Sequence, residues 1–347
     1  MNYKNLYLHN VAQLKPVQGG DAVQLCRIPD GLRLQLHEIA HDSALKTGSV
    51  EIRFHMKSDR VKLKFAVLNA DQLTGGHTVA EVYHGTFQEN APRILGAHVT
   101  EIEVERPKEM ELMQMIAGKE QLRFPPDLVR VILPYESHIA LVGVEGETEL
   151  PREGSMPERK MLLYGSSISS GASAVRPTGA YSMRTAEKLG VDLWSLSMAG
   201  AAMVDAQLAD YIAQLPGWEF AFIELGVNMI WDVKNGVPGS PEEFRKRVDY
   251  FISTIADAHP DKWIFVTDLF TYMGDVRNGE LGEQFRSIVA DKVKQMNRPK
   301  LIHIPGKELL TKTSLLTYDI IHPSEEGLLE ISNHLTEQIS RYLPVTV

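Results

Sequence analysis

Apolar and polar positions alternate in short runs through the first 146 residues. Val61, Leu63, Phe65 and Val67 interleave with Lys62, Lys64 and Ala66, the two-residue period of a strand with one buried face. Similar runs cover 51–54, 79–83, 100–104, 128–133 and 139–144, separated by turn-forming clusters such as Thr74-Gly75-Gly76. Many short strands at this spacing predict an all-β sandwich, jelly-roll-like, over residues 1–146. A Met-rich stretch, 108–116, interrupts the pattern and reads as a short helix.

Residues 147–158 are polar and include Pro151, Gly154 and Pro157, the composition of a linker. From residue 159 to 347 the rhythm changes to strand, helix, strand. Strands are predicted at 160–164, 191–197, 219–225, 263–268 and 300–304. Ser240-Pro241-Glu242-Glu243 starts a helix, with Ser240 as N-cap, Pro241 in the first turn and Glu243 closing a capping box. Phe244, Val248, Phe251, Ile252 and Ile255 follow at helical spacing as a core stripe. Alternating strands and helices predict an α/β unit with a parallel sheet covered on both faces, and five strands suit a flavodoxin-like order.

Composition narrows the function classes. A length of 347 residues suits two domains. The net charge of −9, with no basic run, argues against nucleic acid as a partner. No apolar run approaches the ~18 residues of a membrane span. The start, Met1-Asn2-Tyr3-Lys4-Asn5-Leu6-Tyr7, lacks the continuous apolar core of a signal peptide. The single cysteine, Cys26, excludes an internal disulfide, reads as a small core residue and fits a cytoplasmic, reducing location. Asp205, Asp232, Asp268 and Asp275 do not cluster with histidines at metal-ligand spacing, and no phosphate-binding glycine motif occurs. No metal or cofactor is expected.

The candidate chemistry lies at strand ends. Met161-Leu162-Leu163-Tyr164 runs into Gly165-Ser166-Ser167, which puts a serine hydroxyl at the carboxyl edge of the sheet, where open α/β folds bind ligands. A helix starting there would aim free N–H groups at a developing negative charge. Gly200, Asn228 and the Asp319/His322 pair follow on loops of that same edge. Serine needs an adjacent base to become a nucleophile, and histidine can take its proton and return it. A carboxylate three residues before the histidine can hold the other ring N–H. Pro323 suits the first turn of the next helix. Singly, each feature has a plain reading: a turn after a strand, a turn glycine, a turn-forming Asn, a helix-capping His beside a solvated Asp.

In chain order these blocks resemble the SGNH (GDSL-like) hydrolases. Gly165-Ser166-Ser167-Ile168-Ser169-Ser170-Gly171 stands where that family has Gly-Asp-Ser-x-Thr-x-Gly, Gly200 matches the second block, Gly226-Val227-Asn228 the third and Asp319-Ile320-Ile321-His322 the last. The resemblance covers residues 161–343 and departs from the family at Ser166, where an Asp is usual. A subgroup with an N-terminal β-sandwich shows the same change and an Arg-Pro, here Arg176-Pro177. The Gly-x-Ser-x-Gly elbow is absent, since position 169 is Ser.

The resemblance implies a serine esterase with Ser167 as nucleophile, His322 as base and Asp319 as its partner. The N–H groups of Ser167 and Gly200 and the Asn228 amide would form the oxyanion hole. It implies acetyl esters of carbohydrates as substrates. Lipid or thioester acyl hydrolysis, and a carbohydrate-binding protein with an inactive hydrolase unit, are the alternatives. Arg176, Met229 and Trp231 are candidate substrate contacts, set against a surface arginine and core packing. The expected partner is a small-molecule ester; a homo-oligomer stays open.

Overall fold

The computed structural model describes residues 1–232, 235–277 and 279–343. Two antiparallel sheets come first. One carries Asn2–Tyr3, Leu6–His9, Glu51–Met56, Leu128–Ile132, His77–His84 and Phe87–Gln88 in that spatial order. The other carries Thr100–Glu105, Arg60–Val67, Ile139–Glu145, Val23–Cys26 and Gln13–Pro16. Val61, Leu63, Phe65 and Val67 turn inward against Ile52, Phe54, Val129 and Val131 of the facing sheet, so the alternation read from the sequence marks the sandwich core. Cys26 is buried, which pushes its thiol up to about 11. The Met-rich stretch forms the helix Met110–Glu120, which buries none of its residues. The stretch expected as a linker begins as a strand, because Thr148–Glu149 pairs with His55 and Met56.

Glu51–Met56 also alternates, yet both of its faces are buried. Its charged face meets the second unit. Arg53 grips Asp192 through two bonds of 2.8 and 2.7 Å, and Glu51 takes bonds from Arg53 and Arg130. Burial works against ionised Asp192, but the Arg53 charge and hydrogen bonds, with His9 and Arg123, together outweigh it and hold the carboxyl well below its usual range.

The second unit holds five parallel strands: β1 (Lys160–Tyr164), β2 (Asp192–Ser195), β3 (Phe220–Glu224), β4 (Trp263–Thr267) and β5 (Leu301–Ile304). Their spatial order is 2-1-3-4-5, the flavodoxin-like arrangement. Helices α1 (Tyr181–Lys188) and α5 (Glu325–Ser340) cover one face. Helices α2 (Ala206–Gln214), α3 (Pro241–Ala258) and α4 (Glu280–Met296) cover the other. Ser240 caps α3 by accepting the Glu243 N–H at 3.2 Å, and the predicted apolar stripe is buried. The box is only half formed, because the Glu243 carboxylate bonds Arg247 instead. Ser324 caps α5: its hydroxyl accepts the Gly327 N–H, and Pro323 stands outside the helix rather than in its first turn, bridged to Leu316. No helix among the described residues is long and apolar enough to cross a membrane.

Candidate active site

Ser167 opens a single helical turn, Ser167–Ser170, directly beyond β1. Gly165 has to be glycine, since a Cβ there would collide with the Ser169 hydroxyl and the Glu224 carboxylate. Ser166 is the N-cap: its hydroxyl accepts the Ile168 N–H at 3.2 Å and donates to Glu224 Oε1 at 2.7 Å. That gives physical content to the departure from the family pattern at this position. Glu224, at the end of β3, also accepts the Ser166 N–H at 2.8 Å and the Ser169 hydroxyl at 2.7 Å. The Tyr181 hydroxyl bonds the same Ser169 oxygen. Burial raises the Glu224 pKa, with the bonds from Ser166 and Ser169 pulling the other way. Sequence reading passed over Glu224. The available signal was one acid closing an otherwise apolar strand, Phe220-Ala221-Phe222-Ile223-Glu224.

The other two members of the expected triad meet Ser167. Ser167 Oγ lies 2.8 Å from His322 Nε2, and His322 Nδ1 lies 2.6 Å from Asp319 Oδ2. An ionised carboxylate only accepts, so the proton sits on Nδ1 and Nε2 is free to accept from Ser167. The remaining Asp319 oxygen takes the Thr317 hydroxyl at 2.8 Å and the N–H groups of Ile321 and His322 at 2.9 Å each. Burial would raise the Asp319 pKa, but these bonds, led by that from the His322 ring, hold it well below the usual carboxylate range. The loop closes on itself through Thr317 N–H to His322 O at 2.8 Å. Ile320 within it adopts a left-handed φ of 59°.

The loop after β2 brings in Gly200, whose φ of 71° is one that L side chains rarely adopt. Met198 N–H donates to Gly165 O at 2.8 Å and Val204 N–H to the Tyr164 hydroxyl at 3.0 Å. Asn228 Oδ1 accepts the Ala202 N–H at 3.0 Å, which fixes the amide orientation and leaves Nδ2 as its outward donor. Among the described residues, the N–H groups of Ser167 and Gly200 and the Asn228 Nδ2 donate to no protein acceptor. Nucleophile, base and free donors thus share one strand edge, a layout suited to acyl transfer.

The three candidate substrate contacts separate. Arg176 donates to Gln88 at 2.8 Å and sits 3.8 Å from Glu81, so its guanidinium is engaged by the β-sandwich. Met229 is buried in the core beneath α3. Trp231 is half exposed on a short hairpin, paired with Pro238. Among the described residues, no group of three or more His, Cys, Asp or Glu could hold a metal ion.

Comparison with known proteins bears on the fold and the family. No curated protein matches the sequence. Solved structures match over nearly the whole chain. A salicylyl-acyltransferase of a tetracycline biosynthetic pathway, SsfX3, aligns with a TM-score of 0.77 at 16% identity, covering 99% of this chain and 96% of that one. A GDSL-like lipase from Bacteroides ovatus gives 0.74 at 19%, covering 99% and 97%. A family two carbohydrate esterase from Cellvibrio japonicus gives 0.62 at 15%, covering 98% and 95%. At these identities the likeness is one of fold. The profile of the GDSL-like lipase/acylhydrolase family matches residues 158–340, more than half of the sequence and all of the strands and loops that carry the site. The chain belongs to the GDSL-like lipase/acylhydrolase family.

Proposed function

We propose that the protein is a serine esterase that removes short acyl groups, acetyl foremost, from carbohydrate esters through a covalent acyl-enzyme. The observation that carries this reading is the continuous relay from Ser167 Oγ to His322 to Asp319 beside three donors without protein acceptors. His322 Nε2 takes the Ser167 proton as Oγ bonds to the ester carbonyl carbon. The carbonyl oxygen becomes an oxyanion, held by the N–H groups of Ser167 and Gly200 and by Asn228 Nδ2. Asp319 stabilises the imidazolium. Collapse breaks the C–O bond, and the imidazolium protonates the leaving alcohol. Water, deprotonated by His322, then attacks the acyl-enzyme and releases the acid with Ser167 restored.

Two observations support the substrate class. The family two carbohydrate esterase shares both the sandwich and the α/β unit of this fold. The segments carrying the reacting groups, 165–171 and 198–202, are rich in Ser, Gly and Ala, whereas a long acyl chain needs ~0.8 kcal/mol of apolar burial per CH₂ to be held. Trp231, half exposed and three residues after Asn228 in the chain, offers a flat apolar surface for a sugar ring. The full-length likeness to an acyltransferase favours a second reading, in which a hydroxyl other than water accepts the acyl group. An ester panel scanning acyl length and alcohol, with and without an added acceptor alcohol, tests both. Highest kcat/KM on acetylated sugars is expected. A preference for octanoyl or longer esters would replace the reading with lipid acyl hydrolysis, and ester formation outrunning hydrolysis would replace it with acyl transfer. No turnover of any ester would leave a binding protein.

A further inference from the structure

We propose that Arg27, supplied by the N-terminal β-sandwich, is the positioning residue of the oxyanion loop; this rests on the esterase reading above. Arg27 directly follows the strand Val23–Cys26, and its side chain crosses into the α/β unit with 2% exposure. Four backbone carbonyls receive it. Two belong to its own unit, Lys46 at 2.6 Å from Nε and Ser43 at 3.4 Å from Nη2. The other two lie at the carboxyl end of β2: Ser195 at 3.0 Å from Nη1 and Ser197 at 2.8 Å from Nη2.

No carboxylate pairs with this cation among the described residues. Burial lowers its pKa to about 10, which still leaves it charged at neutral pH. A buried charge without a counter-ion is costly, and here the bonds to backbone carbonyls are what offset that cost. What the guanidinium adds is geometry, because its rigid fork fixes carbonyls in one plane.

The location gives that geometry a use. Ser197 precedes Met198, whose N–H bonds Gly165 O beside the nucleophile, and Gly200 comes three residues after Ser197. The Ser197 hydroxyl accepts from Ser170 at 2.9 Å and lies 2.8 Å from the Ser195 hydroxyl, tying the same corner to the Ser167 turn. Asn228 and Tyr164 hold the far end of the loop at Ala202 and Val204. Arg27 sets the near end, and with it where the Gly200 N–H points. Oxyanion stabilisation depends on donors being placed before the charge develops.

The test uses the full chain with Arg27→Lys, Arg27→Gln and Arg27→Met, each alone and combined with Asn228→Ala. Thermal unfolding reports folding, and kcat and KM are read on p-nitrophenyl acetate. Removal of a whole donor costs ~10²–10³-fold in kcat, so displacement of one should cost roughly 10–100-fold, with KM within about threefold and Arg27→Lys least affected. In the Asn228→Ala background the further loss should shrink below about threefold, because both changes damage one device. Parental kcat in any folded variant, or an equal loss in both backgrounds, overturns the assignment. Failure of all three to fold also overturns it, in favour of a purely structural arginine. The parent is measured first: an inactive parent sinks the esterase reading and this proposal with it, whereas active Arg27 variants sink this proposal alone.

Discussion

Replacing Glu224 tests how the nucleophile turn is held. Its carboxylate accepts the Ser166 N–H, the Ser166 hydroxyl and the Ser169 hydroxyl. Leucine at this position keeps the volume and removes every acceptor. Ser169 can turn to the Tyr181 oxygen, which leaves at least the two Ser166 donors buried and unpaired. At ~1–3 kcal/mol for each orphaned group, Glu224→Leu should cost about 2–6 kcal/mol and reduce kcat sharply. Glutamine can keep its oxygen where Oε2 now stands, within 2.8 Å of Ser166 N, 2.7 Å of Ser169 Oγ and 3.0 Å of Ser166 Oγ. Glu224→Gln should therefore lose no more than about 1–2 kcal/mol at neutral pH, since one hydrogen bond weakens while a buried charge is removed. The pH dependence has a definite sign. Burial raises the folded-state pKa of Glu224, so its contribution is full below the unfolded value of ~4.3 and is lost as pH rises through the folded value. Glutamine cannot titrate. The stability gap between parent and Glu224→Gln should thus favour the parent more at pH 4.5 than at pH 7.5. Urea unfolding across that range, with aryl acetate turnover, measures both. A Glu224→Leu protein as stable and active as the parent, or a gap that widens with rising pH, would refute the reasoning.

Other changes probe single parts of the site. Asp319→Asn can keep the three bonds on Oδ1 while placing an NH₂ against His322 Nδ1, which forces the wrong ring tautomer. A kcat loss of ~10³–10⁴-fold with little change in unfolding temperature is expected, and near-parental kcat would remove Asp319 from the relay. Asn228→Ala should lose ~10²–10³-fold in kcat, and a rate within a few-fold of the parent would return Asn228 to a turn former. Ile320→Gly relieves a left-handed β-branched residue, worth ~1–2 kcal/mol before ~0.5–1 kcal/mol of added chain entropy. Its unfolding temperature should rise or hold, whereas a clear fall would show that the Ile320 side chain contributes packing that outweighs the strain.

The parts of this molecule legible in the sequence are those encoded locally. Arg60–Val67 reveals its core face because its other face is lysine-rich and solvated. The five parallel strands stand out because each is a short apolar run ending in a turn, and Asp319 and His322 declare themselves by lying three residues apart. Glu51–Met56 alternates just as clearly, yet its charged face is a buried interface, which periodicity cannot distinguish from a wet one. Glu224 and Arg27 were missed for the same reason. Their partners lie 58 and 168–170 residues away, so the role of Glu224 exists only once β1 and β3 pair, and that of Arg27 only once the two units are packed. Arg176, read as a substrate contact, is engaged by Gln88, 88 residues earlier, and no local signal points there. Proline is at home in a first helical turn, but Ser324 caps this helix and Glu325 starts it, which leaves Pro323 just outside.

The central claim is that Ser167 forms the acyl-enzyme with His322 as its base. The most direct measurement is covalent capture: the full chain is treated with a fluorophosphonate, or quenched during turnover of an aryl acetate, and the modified peptide is identified by mass spectrometry. The account predicts one adduct, on Ser167, absent in Ser167→Ala and formed far more slowly in His322→Ala. An adduct on Ser166, Ser169 or Ser170, or sustained ester turnover by folded Ser167→Ala, would contradict it.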